Sequence, residues 1–160
     1  MNAFEKLFTI FDNAATKLRF PKIVLEHNGS KIRLVRCGPN SRYQGDINVE
    51  VDGNWMGRIE RDGNVYGHGR SIIQLQNSPA PYYDACMHVL QFAADPHKQA
   101  AIHGHAYNYC CFCSRELTNA VSVHLGYGPI CADKYGLPHS IETCHENVEF
   151  NSLDSLLVDE

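Results

Sequence analysis

The sequence predicts an α+β chain: an N-terminal helix, a small antiparallel sheet, one or two further helices, and a C-terminal treble-clef-like zinc module. Three observations point there. Apolar residues near the start recur at helical spacing. Alternating runs between residues 22 and 75 are split by Asn-Gly and Asp-Gly pairs, and four of the seven cysteines fall between Cys110 and Cys131. The expected divisions are an α+β domain over 1–106, the cysteine module over 107–139, and an acidic tail over 140–160.

Each element has a local reason. In "NAFEKLFTIFDNAATKL", Phe4, Leu7, Phe8, Phe11, Ala14, Ala15 and Leu18 approach an i, i+3, i+4, i+7 spacing, which describes an amphipathic helix of about four turns. Pro21 ends it, because the residue before a proline avoids the helical region. From Lys22 the period changes to two. "KIVLEHNGSKIRLVRC" is two alternating runs about Asn28-Gly29, a hairpin signal, and Asp52-Gly53 and Asp62-Gly63 punctuate further strand-like runs. Three or four antiparallel strands are expected over 22–75. "GPNSRYQGD" is loop chemistry that exposes Arg42 and Tyr43. "YYDACMHVLQFAADP" predicts a helix over 79–95 with Tyr83, Met87, Leu90 and Ala94 on one face, flanked by Val89 and Ala93. "HKQAAIHGHAY" adds one or two helical turns.

Bulk properties narrow the function classes. A chain of 160 residues that is 44% hydrophobic can bury a core without disulfides. No apolar run approaches the roughly 20 residues that span a bilayer. The start carries acids and no small-residue cleavage site, so a reducing, cytoplasmic setting is expected, where clustered cysteines mean metal or catalysis more often than disulfides. Seven cysteines, an odd number, point the same way. The net charge is −4, but residues 1–70 hold 11 Lys/Arg against 8 Asp/Glu, and residues 71–160 hold 3 against 10. A general nucleic-acid binder is usually basic overall. Any such contact here would use the stretch from Lys31 to Arg42, with Lys31, Arg33, Arg36, Arg42, Trp55 and Arg58 as the candidate surface. Trp55 on a sheet could stack a base, although packing is the commoner use of such an aromatic.

The cysteines carry the clearest chemistry. Cys110 and Cys113 have C-x2-C spacing, which points two thiolates at one centre, and Cys131 follows at the start of the short helical pattern "CADKYGL". A cysteine turn, a hairpin in "RELTNAVSVHLGYG" and a helix that opens on a ligand together form a treble-clef-like plan. Cys110, Cys113 and Cys131 are three of the four ligands a structural zinc needs. The fourth stays open between His105, His124 and Cys144, with His103 and His145 as further candidates. Lys134 occupies the usual helix position and cannot ligate while protonated. Cys111 reads as a packed or exposed neighbour. A redox C-x2-C would open a helix inside a βαβ unit, and none is predicted. A catalytic zinc would need an open position and a carboxylate such as Glu116 or Asp133. Inert buried thiols remain the plain alternative.

These residues resemble a poorly characterised family of phage-encoded and bacterial proteins, described as a domain of unknown function with a zinc site ascribed to it. Its C-terminal pattern is C-x2-C-[GNS]-R-x-L-T, a serine, then G-[YI]-G-P-x-C and K-x-G-L-P. Cys110, Cys113, Arg115, Leu117, Thr118, Ser122, Gly126, Gly128, Pro129, Cys131, Gly136, Leu137 and Pro138 fall on it. The likeness extends upstream through "FAADPHKQAA", "GRIERDG" and "GPNSRYQGDINV" to cover most of residues 7–138. It implies a metal site and no activity. The family pattern has no fixed histidine at the place of His124, and members often carry a tryptophan soon after G-L-P where this chain has His139. Gly126 and Gly128 are expected to permit a close approach into the last helix, Arg115 to offset thiolate charge or bind a phosphate, and Ser122 to bond a thiolate or cap a turn.

Taken together, the sequence points to a non-enzymatic, zinc-stabilised, phage-related binding protein in the host cytoplasm. Its partner would be nucleic acid or a host nucleic-acid-handling protein. The alternative is a protein–protein inhibitor or adaptor acting on a host enzyme or defence system. A zinc-dependent enzyme comes third, since no nucleophile elbow, phosphate loop or complete metal-hydrolase motif is present.

Overall fold

The computed structural model describes residues 3–67 and 82–139. The order is α1 (Glu5–Ala15), β1 (Lys22–His27), β2 (Ser30–Arg36), β3 (Ile47–Val51), β4 (Asn54–Ile59), β5 (Val65–Tyr66), α2 (Tyr82–Ala94), α3 (Pro96–Tyr107), α4 (Ala120–Leu125) and α5 (Pro129–Tyr135). The α+β class therefore holds. The expected strand region over 68–75, the first residues of the expected 79–95 helix, and the acidic tail from residue 140 lie outside the described residues.

The strands form one antiparallel meander in the order β1-β2-β3-β4-β5, one strand more than expected, the fifth being two residues long. Turn chemistry sets the first hairpins. Asn28 and Gly29 sit at φ +50° and +81°, and Asp52 and Gly53 at +51° and +84°. A two-residue turn with both residues at positive φ twists in the sense the flanking strands require. Alternation then sends Ile23, Leu25, Ile32, Leu34, Ile47, Val49, Val51 and Ile59 into the core. On the opposite face Arg33, Glu50 and Trp55 stand in one row across β2, β3 and β4.

The helices close over the apolar face. α1 buries Leu7, Phe8, Ile10, Phe11 and Ala14, close to the expected set. The face of α2 differs from expectation: Ala85, Val89, Phe92 and Ala93 are buried, while Met87 is 44% exposed. Both sets recur at helical spacing on a helix apolar nearly all round, so periodicity could not choose between them. α3 is a full 12-residue helix rather than one or two turns. Asp95 caps the Lys98 N–H, Pro96 occupies the first turn, and Asn108 ends the helix at φ +63°.

The hairpin expected over "RELTNAVSVHLGYG" does not form. Only an isolated bridge joins Tyr109 and Glu116, and residues 120–125 are the helix α4. The cause is capping. The Asn119 side chain accepts the Ser122 N–H at 2.8 Å, and Gly126 at φ +86° closes the other end. The β-branched Val121 and Val123 favour a strand only weakly, and two caps outweigh them.

A single apolar cluster contains residues of α1, the sheet, α2, α3, the cysteine turn, α4 and α5. α4 meets α3 at very close range: a Cβ on Gly126 would lie 1.9 Å from the Ala100 carbonyl oxygen, and one on Gly104 would lie 2.5 Å from the Gly126 Cα. Gly128, also expected to permit close approach, has ordinary backbone, and a Cβ there would make only an ordinary contact with the Ser122 hydroxyl at 3.9 Å. Gly126→Ala is therefore expected to destabilise the fold by about 3 kcal/mol in chemical denaturation, from strain at positive φ together with overlap. Gly128→Ala should cost less than about 1 kcal/mol, a helix-capping effect. Equal effects would contradict this packing.

Candidate metal centre

The cysteine turn is built by backbone hydrogen bonds before any side chain is considered. After α3 ends, the Leu117 N–H donates to the Asn108 carbonyl at 3.0 Å and the Cys110 N–H to Arg115 at 2.9 Å. These close a loop whose tip is Cys110–Cys113. The Ser114 N–H donates to the Cys110 carbonyl at 2.8 Å, and Ser114 takes φ +62° to turn the chain back. The Phe112 N–H points at the Cys110 sulfur at 3.3 Å. Exposed amides aimed at sulfur are what a thiolate needs to hold its charge.

Cys131 arrives from α5. Gly128 caps that helix, Pro129 occupies its first turn, and Gly136 at φ +69° ends it. The Cys110, Cys113 and Cys131 sulfurs lie within 4.8 Å of one another, with Cys110 and Cys131 buried and Cys113 exposed. Three soft donors from two elements at that separation could hold a metal ion. Their acidities differ. Cys113 is pushed down to about 2, first because the Cys110 and Cys131 thiols donate to it, then through the Arg115 N–H and guanidinium. Its contact with Cys110, then that with Cys113, raises Cys131, and the contact with Cys113 is the largest of the influences raising Cys110. Three thiolates this close repel one another, so ionising all three requires a cation among them. Arg115 acts here as the sequence suggested, offsetting thiolate charge.

Among the described residues no histidine or carboxylate joins the three sulfurs. The His105 and His124 rings meet edge-on from α3 and α4, with centroids 6.0 Å apart. His103 is buried against Tyr107 and Tyr109. Neither His105 nor His124 is brought to the centre, because each is fixed by a helix that packs elsewhere. Cys144 and His145 lie outside the described residues. Ser122 pairs its hydroxyl with the His139 ring at 3.1 Å and receives the Asn119 cap on its N–H.

The sequence undervalued Cys111. Its side chain is fully buried, and its carbonyl accepts the Val24 N–H at 2.7 Å, so the turn is docked on the open edge of β1. Burial drives its thiol well above the ordinary range, which suits packing rather than ligation. No spacing rule marks such a residue, because its role is set by what β1 presents to it.

The candidate binding residues separate into two groups. Lys31, Arg42 and Trp55 are exposed, and Arg33 is exposed but pairs with Glu50 at 3.0 Å. Arg36 pairs with Asp12 at 3.6 Å. Arg58 pairs with Asp46 at 3.1 Å and Glu60 at 3.5 Å, and lies over the Tyr43 ring at 3.8 Å. Both of these arginine side chains are only 14% accessible.

Residues 101–136 match a family of unknown function, DUF6011. That span holds most of α3, the cysteine turn, α4 and α5. The family carries no assigned activity. No curated protein and no solved structure matches the chain.

The two neighbouring cysteines give a contrast that tests the site. Cys110→Ser should abolish stoichiometric metal binding, whereas Cys111→Ser should retain it and lose about 1–3 kcal/mol of stability from a buried hydroxyl. Metal analysis beside thermal unfolding separates the two. Loss of metal in both variants would make Cys111 a ligand.

Proposed function

We propose that this is a non-enzymatic binding protein whose cysteine turn is held by a structural zinc, and that it contacts nucleic acid or a protein that handles nucleic acid. The convergence of Cys110, Cys113 and Cys131 carries the zinc assignment. Zn–S bonds of about 2.3 Å in a tetrahedron set sulfurs about 3.8 Å apart, so sulfurs within 4.8 Å close on the ion with small adjustments. Cys144 or an exogenous group would supply the fourth ligand. Two of the three donors belong to the apolar core, which favours a structural role. Asp133, a carboxylate offered as base for a catalytic zinc, has a side chain that is 74% exposed and bound to Lys17 at 2.6 Å.

The contact surface proposed is the solvent face of the sheet. It carries the exposed Lys31 and Arg33 beside Trp55, which is 37% exposed and donates from Nε1 to Asn48 at 3.1 Å. A partly exposed indole on a sheet suits stacking on an unpaired base. A second reading, an adaptor or inhibitor of a host protein, draws support from the pairing of Arg33, Arg36 and Arg58 with carboxylates and from the net charge of −4.

Purified protein is expected to hold about one zinc per chain, and chelation should lower its melting temperature sharply. A metal-free, fully stable protein would overturn the structural zinc. Trp55 is the single tryptophan, so its emission reports the sheet face directly. Quenching by a single-stranded oligonucleotide, with affinity falling steeply as salt rises, is expected if that face binds nucleic acid. Unchanged emission at low salt would leave the protein-partner reading.

A further inference from the structure

A second feature lies apart from the cysteines. A cleft of about 180 Å³ opens between the end of β1 and the α2–α3 pair. Leu25, Phe92 and Ile102 supply apolar walls, and Glu26, Gln99 and three histidines supply polar groups. His103 is 4% exposed and lies against the Tyr109 backbone, but neither of its ring nitrogens makes a close, well-aligned hydrogen bond; nor does Nδ1 of His88. Buried polar atoms are nearly always paired, so three poorly paired nitrogens around one cleft point to a bound partner there.

We propose that this cleft binds an uncharged single-ring heterocycle with both hydrogen-bond donors and acceptors on its edge, the chemistry of a pyrimidine base. The size fits, since an apolar cavity of about 150 Å³ takes up a benzene ring. Charge selects against anions. Burial, then His27 and His103, pushes His88 down to about 4, and burial also lowers His103 against the opposing pull of the Tyr109 backbone and then of Glu26. Both rings are thus neutral near pH 7, each able to donate from one nitrogen and accept at the other. The Glu26 carboxylate, already accepting from the Tyr109 hydroxyl, adds an acceptor and repels an anion.

A metal ion fits the cleft less well. His27 lies parallel on His88, 4.3 Å away at 14°, so the in-plane lone pairs of the two rings do not converge. Among the described residues only the cysteine trio brings three ligand atoms within 4.8 Å. Water could pair the nitrogens but would leave the apolar walls wet. A planar heterocycle answers both walls and nitrogens.

Side-chain ¹H–¹⁵N spectra of the imidazoles in the full chain, titrated with cytidine and with uridine, test this. Saturable shifts of His88 and His103 are expected, with a Kd on the order of 0.1–1 mM for so small a ligand. Ala106 is exposed and lines the cleft. Ala106→Phe should therefore obstruct entry without disturbing the core and abolish the shifts, and Gln99→Leu should weaken binding about tenfold. Shifts that fail to saturate, or that persist in Ala106→Phe, would overturn the proposal, as would an unresponsive cleft filled by water alone. The inference stands apart from the sheet face: Trp55 emission reports that face and the imidazoles report the cleft, so either can fail alone.

Discussion

The seating of the cysteine turn on β1 is the contact on which the rest depends. An edge strand presents unpaired N–H and C=O groups that must be covered or blunted. Here the Val24 N–H is taken by the Cys111 carbonyl at 2.7 Å, while Tyr135 donates its hydroxyl to the Lys22 carbonyl at 2.8 Å and accepts the Lys22 N–H at 3.2 Å. Each such bond contributes only about 1 kcal/mol net. Their weight comes from sharing one turn and one helix with the three thiols. Gathering three thiols that could hold a metal ion and covering the sheet edge are consequently one arrangement, and the residue that joins them is the buried Cys111.

The same seating fixes the opposite side of the module. α5 reaches the turn after α1 through Lys17–Asp133 at 2.6 Å, and Gly136 passes so near Asn13 of α1 that a Cβ would lie 2.6 Å from its Nδ2. α4 lies against α3 only because Gly126 has no side chain. Tyr127 and Tyr135 fill the space between, both essentially inaccessible, and Tyr127 donates to the Pro138 carbonyl at 2.5 Å. A segment that looks like an appended finger is thereby part of the common core. Its helices are too short to be stable alone, and packing supplies what length does not.

Charge shows how far composition can mislead. The first 70 residues carry a formal excess of three positive charges. Arg36 and Arg58 nevertheless lie within ion pairs to Asp12, Asp46 and Glu60, with Tyr43 stacked beneath Arg58. Counting charges gives the sum and not the partners. What reaches solvent on the sheet face is a small set, Lys31, Arg33 and Trp55, with Arg33 already leaning on Glu50.

By itself the sequence determined the α+β class, the turns at Asn28-Gly29 and Asp52-Gly53, the buried face of α1, and the gathering of Cys110, Cys113 and Cys131. All are local: period, positive-φ turn residues and ligand spacing act within a few residues of themselves. Tertiary structure alone decided which face of α2 is buried, that Asn119 and Gly126 make a helix where a hairpin was expected, and that His105 and His124 turn toward each other instead of the thiols. It also decided that Cys111 anchors the turn and that His27, His88 and His103 line one cleft. These outcomes depend on which surfaces meet across long stretches of chain, and residue spacing does not encode that meeting.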